Sequence, residues 1–585
     1  QVLAFATLRP QKEPSMLIDT NELASGSVIQ TQICIVGGGA AGISMALELE
    51  KAGIDTVVLE SGGLSRDEAT ADLYRGPSVG IPYDFSDGTR SRFLGGSSNC
   101  WGGFCRPWDQ SAFEHRSWVN ASGWPIGRAD LEPFYQRSHA ILQVPSNDYD
   151  PAHWVGNTGE ATHGPSKGLS AKAASYPFDP KKVEEIISQY SPPLKMGEAY
   201  RSELKAAKHV KVYIKANVVE LQCNPWGGAV ESAKIRTLKG VSATVQAKVF
   251  VLASGGIENA RLLLASNRQQ SAGIGNRYDL VGRYFQDHPR FLNGIVDFAE
   301  PYRNNPLFDI KFHCIVNKVK IGGVDISGQM RIPFEVQKER GILDAQMWFR
   351  SLYAGEGTDV VRALYRMRQR VRGKWSPFVG LGTDLGHIFS HPMDSLTYSV
   401  AHTTGSLKLV RYVTMELIAE PEPDPNSRVM LSDDVDALGM RRTKIDWRLN
   451  QRVKDTVDTS FELLARELED KKIAKVTLGP RINDVGWPAD MEGTYHHMGT
   501  TRMADSPREG VVDRNCLVHG MENLYIAGSS VFPTSSSNNP TMTLVALALR
   551  LSDRLVDEFR AGTRFSPEAK AAEPAKAEDQ PKAAA

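Results

Sequence analysis

Three glycines spaced Gly-x-Gly-x-x-Gly, at Gly37, Gly39 and Gly42, lie between the apolar run TQICIV (31–36) and a helical pattern over 41–51. A strand that turns through glycines straight into a helix gathers backbone N–H groups and the positive end of the helix dipole at one point, which suits a pyrophosphate. A second strand, TVVLE (56–60), ends on Glu60, 18 residues beyond Gly42, where a carboxylate accepts hydrogen bonds from an adenosine ribose. The alternative, a glycine turn with no ligand, is disfavoured by strand, helix and Glu60 all falling in place. The motif predicts a bound dinucleotide within a βαβ unit and does not choose between NAD and FAD.

With 585 residues and 41% hydrophobic content the chain can form several domains around large cores. Lysine plus arginine balances aspartate plus glutamate at 68 each, so no global field draws the protein to nucleic acid. The longest apolar runs, 249–254 and 542–551, fall short of the roughly 20 residues of a membrane-spanning helix. The first eight residues lack the basic leader and apolar run of a signal peptide. A cytoplasmic location is expected, with co-export alongside a partner subunit as the alternative. The six cysteines are scattered, with neither CxxC pairs nor Cys/His clusters, so neither a metal site nor an iron–sulfur cluster is expected.

Strand-like runs return at 210–221, 233–237 and 243–253, and the last passes through Gly255 and Gly256 into a helix over 257–265. Residues 61–150 read as long loops. From 289 to 445 short β-rich runs alternate with loops around a basic helical stretch, 359–374, and 453–468 is an amphipathic helix. The run NLYIAG (523–528) is a strand, and Asn539 before Pro540 predicts a helix that Asn539 caps. The N-terminus of that helix would stabilise negative charge placed beside it.

Three stretches go further: RFLGGSSNCWGGFCRP (92–107), VFVLASGGIENARLLLAS (249–266), and the closing pair YHHMGTTRM (495–503) and NLYIAGSSVFPTSSSNNPTMT (523–543). In order and spacing the chain resembles the glucose–methanol–choline (GMC) family of FAD-dependent oxidoreductases from near its start to about residue 556, and most resembles its bacterial sugar and glycoside members. The resemblance implies an α/β architecture: a Rossmann-like FAD-binding domain and a second, substrate domain on an antiparallel sheet. The implied boundaries are an N-terminal extension (1–29), the FAD domain (30–288 and 480–556), the substrate domain (289–479) and a disordered tail (557–585).

It also implies the site. Gly37, Gly39, Ala41, Gly42, Glu60 and Ser61 hold the FAD through the first βαβ unit; Arg92, Gly96, Ser97, Asn99, Cys100, Trp101, Gly102 and Gly103 lie along the flavin. Val218, Ser254, Gly528, Ser529 and Thr541 complete the cofactor contacts. His496 takes the family's active-site histidine position, with Asn539 facing it across the substrate, and His497 contacts the flavin or its surroundings. Oxidation by hydride transfer to flavin N5 requires loss of the hydroxyl proton, and a neutral imidazole suits that task. Adjacent histidines in an extended segment point to opposite sides, which argues against a metal shared by His496 and His497. Cys100 stands where many relatives carry a histidine bonded to the flavin; an apolar setting beside Trp101 disfavours the thiolate, and non-covalent FAD is expected.

A secondary hydroxyl of a sugar or glycoside is the expected substrate, with other alcohols or polyols next. A dye, quinone or partner protein is the expected electron acceptor. The basic run Arg362, Arg366, Arg368, Arg370, Arg372 and Lys374 reads as a solvated helix face or, less often, a docking patch for a redox partner or small subunit. A nicotinamide-dependent dehydrogenase and a non-catalytic FAD-binding subunit are the competing classes.

Overall fold

The computed structural model describes residues 15–562 except 86–88, 155–156, 162–169, 173–174, 193, 300–304, 311–318, 354–357, 372–377, 379, 405–408 and 490. Two sheets, each with its own apolar core, organise the chain.

The first sheet has eight strands among the described residues. Ser27–Val36 lies between Thr56–Leu59 and Ser242–Leu252, parallel to both, and beyond Thr56–Leu59 come Val210–Ile214 and Leu17–Asp19. Its central runs, 33–36, 56–59 and 249–252, are buried throughout, as parallel strands are when helices cover both faces. Val230–Arg236 and Asn217–Cys223 extend it as an antiparallel meander. Leu524–Ile526, from the far end of the chain, pairs parallel with the last residues of Ser242–Leu252. Helix Ala40–Ala52 packs against the C-terminal helix Thr541–Ala561, and Arg137 of helix Glu132–Leu142 bridges Glu48 and Asp553.

The second sheet is antiparallel, with eleven strands among the described residues. Ala474–Thr477, Pro289–Phe298, Val410–Ala419, Ala345–Tyr353 and Val324–Arg331 form most of it. The amphipathic helix Gln451–Asp470 covers it, burying Val453, Val457, Phe461, Leu464 and Leu468 at helical spacing.

Sheet membership crosses the expected boundaries. Phe104–Cys105, Thr158–Ala161, Ser170–Lys172 and Glu184–Tyr190, all within 30–288, pair in the second sheet. Conversely, Arg428–Val435 and Arg441–Trp447, within 289–479, form a three-stranded sheet with Ser78–Gly80 and bury Val429, Ile445 and Trp447 in the first core. The extension supplies the edge strand Leu17–Asp19, and the last helix continues to Ala561, into the expected tail. Strand partners are chosen by distant residues, which local periodicity does not encode. The rest of the tail, 563–585, lies outside the described residues.

Between the adjacent strands Ala345–Tyr353 and Val410–Ala419 the chain leaves the sheet as three helices, Asp359–Val371, Leu381–Ser390 and Pro392–Thr404. Part of the basic run is internal to this excursion, because Arg366 and Arg370 both grip the buried Asp384. Arg362 and Arg368 face solvent, while Arg372 and Lys374 lie outside the described residues. Phe389, Met393, Leu396 and Val400 are exposed along the second and third helices. Among the described residues no helix is long and apolar enough to cross a membrane, and no cluster of three or more His, Cys, Asp or Glu could hold a metal.

Candidate active site

One cavity runs along the C-terminal ends of the parallel strands, from the Gly37 turn past the 96–103 loop to the start of the last helix. This is where open α/β sheets bind ligands. Gly37 has φ +112°, and a Cβ there would lie 2.6 Å from the Ala253 carbonyl oxygen. Gly42 does not line the cavity: a Cβ on it would fall 2.0 Å from the Gly37 oxygen, so it is the residue that lets the helix approach the turn. Glu60, 5% exposed, accepts from Gly38 N at 2.9 Å and Gly62 N at 2.8 Å and still faces the cavity. Burial raises its pKa against the pull of these bonds and of the Arg92 charge.

Gly37, Gly39, Ala41, Glu60, Ser61, Arg92, Gly96, Ser97, Cys100, Trp101, Gly102 and Gly103 all line this space, as do Val218, Ser254, Gly528, Ser529, His497 and Thr541. Asn99 does not. Its amide donates to the Leu94 and Gly96 carbonyls at 3.2 and 2.9 Å, bracing the loop from behind. Protein packed around Cys100 pushes its thiol above the ordinary pKa, and the sulfur donates to the Ser97 carbonyl at 3.5 Å.

Asn539 lines the cavity but does not cap the helix. Pro540 is the N-cap residue, with no side-chain cap bond, and the Asn539 carbonyl accepts from Trp108 Nε1 at 3.3 Å. The first-turn N–H groups at Thr541 are thus left for whatever occupies the cavity, at the positive end of the helix dipole.

His496 and His497 also line the cavity. Tyr495 holds φ +65°, a costly conformation outside glycine, and it is pinned by the Asp287 carboxylate, which accepts from Tyr495 N at 2.9 Å and His496 N at 2.7 Å. Tyr83 and Thr494 also donate to Asp287, at 2.6 and 3.3 Å. Four donors converge on this fully buried group, which favours the ionised carboxylate, while burial raises its pKa. Burial, then the charges of His288, His497 and Arg290, holds His496 well below the ordinary histidine range. Burial, then Arg90, brings His497 down to about 3. Both are neutral imidazoles at physiological pH.

The residues that aim His496 were not legible in the sequence. Gln286, Asp287 and His288, each at most 1% exposed, stand just ahead of Pro289 at the expected domain boundary. His288 Nδ1 lies 2.9 Å from His496 Nδ1, and His288 Nε2 lies 2.7 Å from the Ser536 carbonyl. Gln286 exchanges backbone bonds with Met498 and donates its amide to the Pro533 carbonyl at 3.2 Å. This tripeptide therefore clamps the 494–498 loop to the 533–539 loop. From the second sheet, Asp344 accepts from Ser536 Oγ and Ser537 Oγ at 3.0 and 2.7 Å, and Gln346 donates to the Ser537 carbonyl at 2.6 Å. The available sequence signal was three consecutive polar residues before a proline, leading into a strand.

The fit to FAD rests on atoms the fold leaves open. Arg92 Nε and His497 Nε2 are buried in the cavity wall without a hydrogen-bond partner among the described residues. The glycine turn gives a phosphate close access to backbone, Glu60 suits a ribose, and the open helix start at Thr541 suits a group that gains negative charge on reduction. Fold and cavity together define an FAD-dependent oxidoreductase. The GMC oxidoreductase family model matches residues 423–548 and an FAD-binding domain model matches 30–76. The closing part of the chain, 423–548, is thus a GMC oxidoreductase domain, and 30–76 opens an FAD-binding one.

A curated relative, the fructose dehydrogenase large subunit of Gluconobacter japonicus, is 27% identical over 55% of this chain. The match spans about half of that protein, 49%. The 6'''-hydroxyparomomycin C oxidase of Streptomyces lividus is 24% identical over 90% of this chain and 92% of its own. A solved fungal aryl-alcohol oxidase shares the fold with a TM-score of 0.53 at 16% identity, over 92% of this chain and all of the other.

Proposed function

We propose that the protein oxidises a CH–OH group, a secondary hydroxyl of a sugar or glycoside, with His496 as general base and Asn539 across the substrate from it. The carrying observation is the hydrogen-bonding of His496. The Ser536 carbonyl can only accept, so His288 Nε2 carries a proton; a neutral His288 then offers a lone pair at Nδ1, and His496 donates its Nδ1–H to it. That leaves His496 Nε2 as a free lone pair, ready to take a hydroxyl proton. Bound FAD supplies the hydride acceptor. The Thr541 helix start and His497 stabilise negative charge on the cofactor side, and the neutral state of both histidines keeps the base competent.

The sugar assignment draws on the fructose dehydrogenase relative. A flavin-bleaching screen under nitrogen across sugars, glycosides, polyols and simple alcohols tests it, with sugars or glycosides expected to bleach. Bleaching by simple alcohols or polyols alone would move the substrate class. Bleaching by none would make the chain a non-catalytic FAD subunit. For the acceptor, the reading is a dye, quinone or partner subunit; a relative described as a large subunit supports a partner. Rapid peroxide formation on admitting air would make the protein an oxidase instead.

A further inference from the structure

We propose that His288 is a second proton-holding group in the active site, so that the hydroxyl proton is shared by a His496–His288 pair rather than kept on His496. The proposal rests on His496 being the base and deepens that reading.

The geometry permits a two-step shift. A substrate hydroxyl loses its proton to His496 Nε2, so one O–H bond breaks and one N–H bond forms. The His496 Nδ1–H bond then breaks and a new N–H bond forms at His288 Nδ1, across the 2.9 Å that separates the two nitrogens. A bound FAD, held along the Gly37 turn, Glu60 and the Thr541 helix start, would supply the acceptor for the carbinol hydrogen and its electron pair, which leaves a carbonyl. His496 ends neutral, protonated at Nε2. His288 ends as the imidazolium, its Nε2–H still bonded to the Ser536 carbonyl. When an acceptor such as a quinone takes up two electrons and two protons, the His496 Nε2–H passes to it, the proton on His288 Nδ1 returns to His496 Nδ1 and the pair is cleared.

The surroundings favour charge on the inner histidine. Facing His496 is the Arg290 charge, which resists a positive charge there, and His288 and His497 add to that resistance only when protonated. Facing His288 are Asp287, Glu420 and the carbonyls of Ser535 and Ser536, all of which favour one. His288 is fully buried while His496 keeps part of its ring open to the cavity, and burial lowers the pKa of each. Thr494 completes the arrangement: its hydroxyl donates to Asp287 Oδ1 at 3.3 Å and lies 3.0 Å from His496 Nδ1, a lone pair that holds the ring while the proton moves. Two groups this close titrate as one site, whose proton affinity exceeds that of an isolated buried imidazole.

His288→Gln tests the idea, because glutamine can keep an acceptor toward His496 and a donor toward Ser536 yet cannot hold a proton. The holoenzyme variant is expected to keep its FAD and its substrate dissociation constant while anaerobic flavin reduction slows by roughly tenfold or more. The acid limb of its rate profile should move to lower pH, and the solvent-isotope proton inventory should change from bowed, with two protons in flight, to linear, with one. An unchanged rate, acid limb and inventory in His288→Gln would overturn the relay, as would a slowed rate with an unchanged limb and a bowed inventory. His496→Ala run in parallel separates the two readings: normal reduction there removes the base itself, whereas slow reduction there beside a normal His288→Gln removes only the pair. If His288→Gln loses FAD, His288→Asn with the same inventory measurement takes its place.

Discussion

The two ends of the cavity are held by different means. At the pyrophosphate end the chain relies on backbone: glycines that admit close approach, a helix start, and Glu60 bonded to two main-chain N–H groups. At the substrate end it relies on side chains from separate places in the sequence. Tyr83, Asp287, His288, Asp344, Gln346 and Thr494 together fix a turn with a strained Tyr495 and a loop with Ser536 at φ +51°. Backbone recognition sets affinity for the cofactor. A side-chain network sets proton position, where sub-ångström placement and protonation state decide the rate.

If the division is real, variants at one end should leave the other untouched. The largest effect is expected from His496→Ala: anaerobic reduction of the flavin by substrate should slow by about 100-fold or more, with FAD retained. Loss of both would show that the two ends are one cooperative unit. Next comes Glu60→Gln, which removes the charge from hydrogen bonds worth roughly 1.5–3 kcal/mol and should weaken FAD binding by about tenfold or more while the reduction rate of loaded enzyme stays put. Equilibrium titration of the apoprotein reads the first quantity and stopped flow the second.

Acid should act at the substrate end before the other. A histidine whose folded pKa lies below its ordinary 6.5 binds fewer protons folded than unfolded, so its stability contribution is complete above about pH 6.5 and drains away as the pH falls. His288, His496 and His497 all have this sign, and for His497 the window reaches down to about 3. Glu60 and Asp287, with raised pKa, act in the opposite sense below their raised values and blunt the loss. The reduction rate should therefore be flat above pH 6.5 and fall only below it; a rate still climbing at pH 8 would contradict a depressed base. The smallest effect is expected at Cys100. With its thiol held protonated, Cys100→Ala should release flavin to an acid supernatant just as the wild type does, and flavin retained in the pellet only when Cys100 is present would reveal a covalent link.

The same contrast explains what sequence reading could reach. Gly37, Gly39, Glu60 and the flanking strand and helix form one local unit whose chemistry is written in spacing, and the structure places them on one cavity wall. Asp287 and His288 act on residues more than 200 positions away, and no periodicity marks that contact. Asn539 looked like a cap because Asn before Pro favours one locally; the cavity takes the residue instead and leaves the helix start open. The strand at 184–190 falls outside its expected domain for a related reason, since it pairs with Val324–Arg331, and 104–105 follows it into the second sheet by pairing with 184–190.

The closing strand Leu524–Ile526 and the segment through Thr541 also fix a schedule. Synthesis delivers the Gly37 turn early and the opposite cavity wall about 500 residues later, so no complete cofactor pocket exists on the ribosome until the segment through Thr541 has emerged. Until then the sheet edge beside Ser242–Leu252 is open at the position its final partner will fill. Cofactor capture and completion of the fold are then one event, and a chain cut short anywhere before the last helix should be colourless however well its early domain has formed.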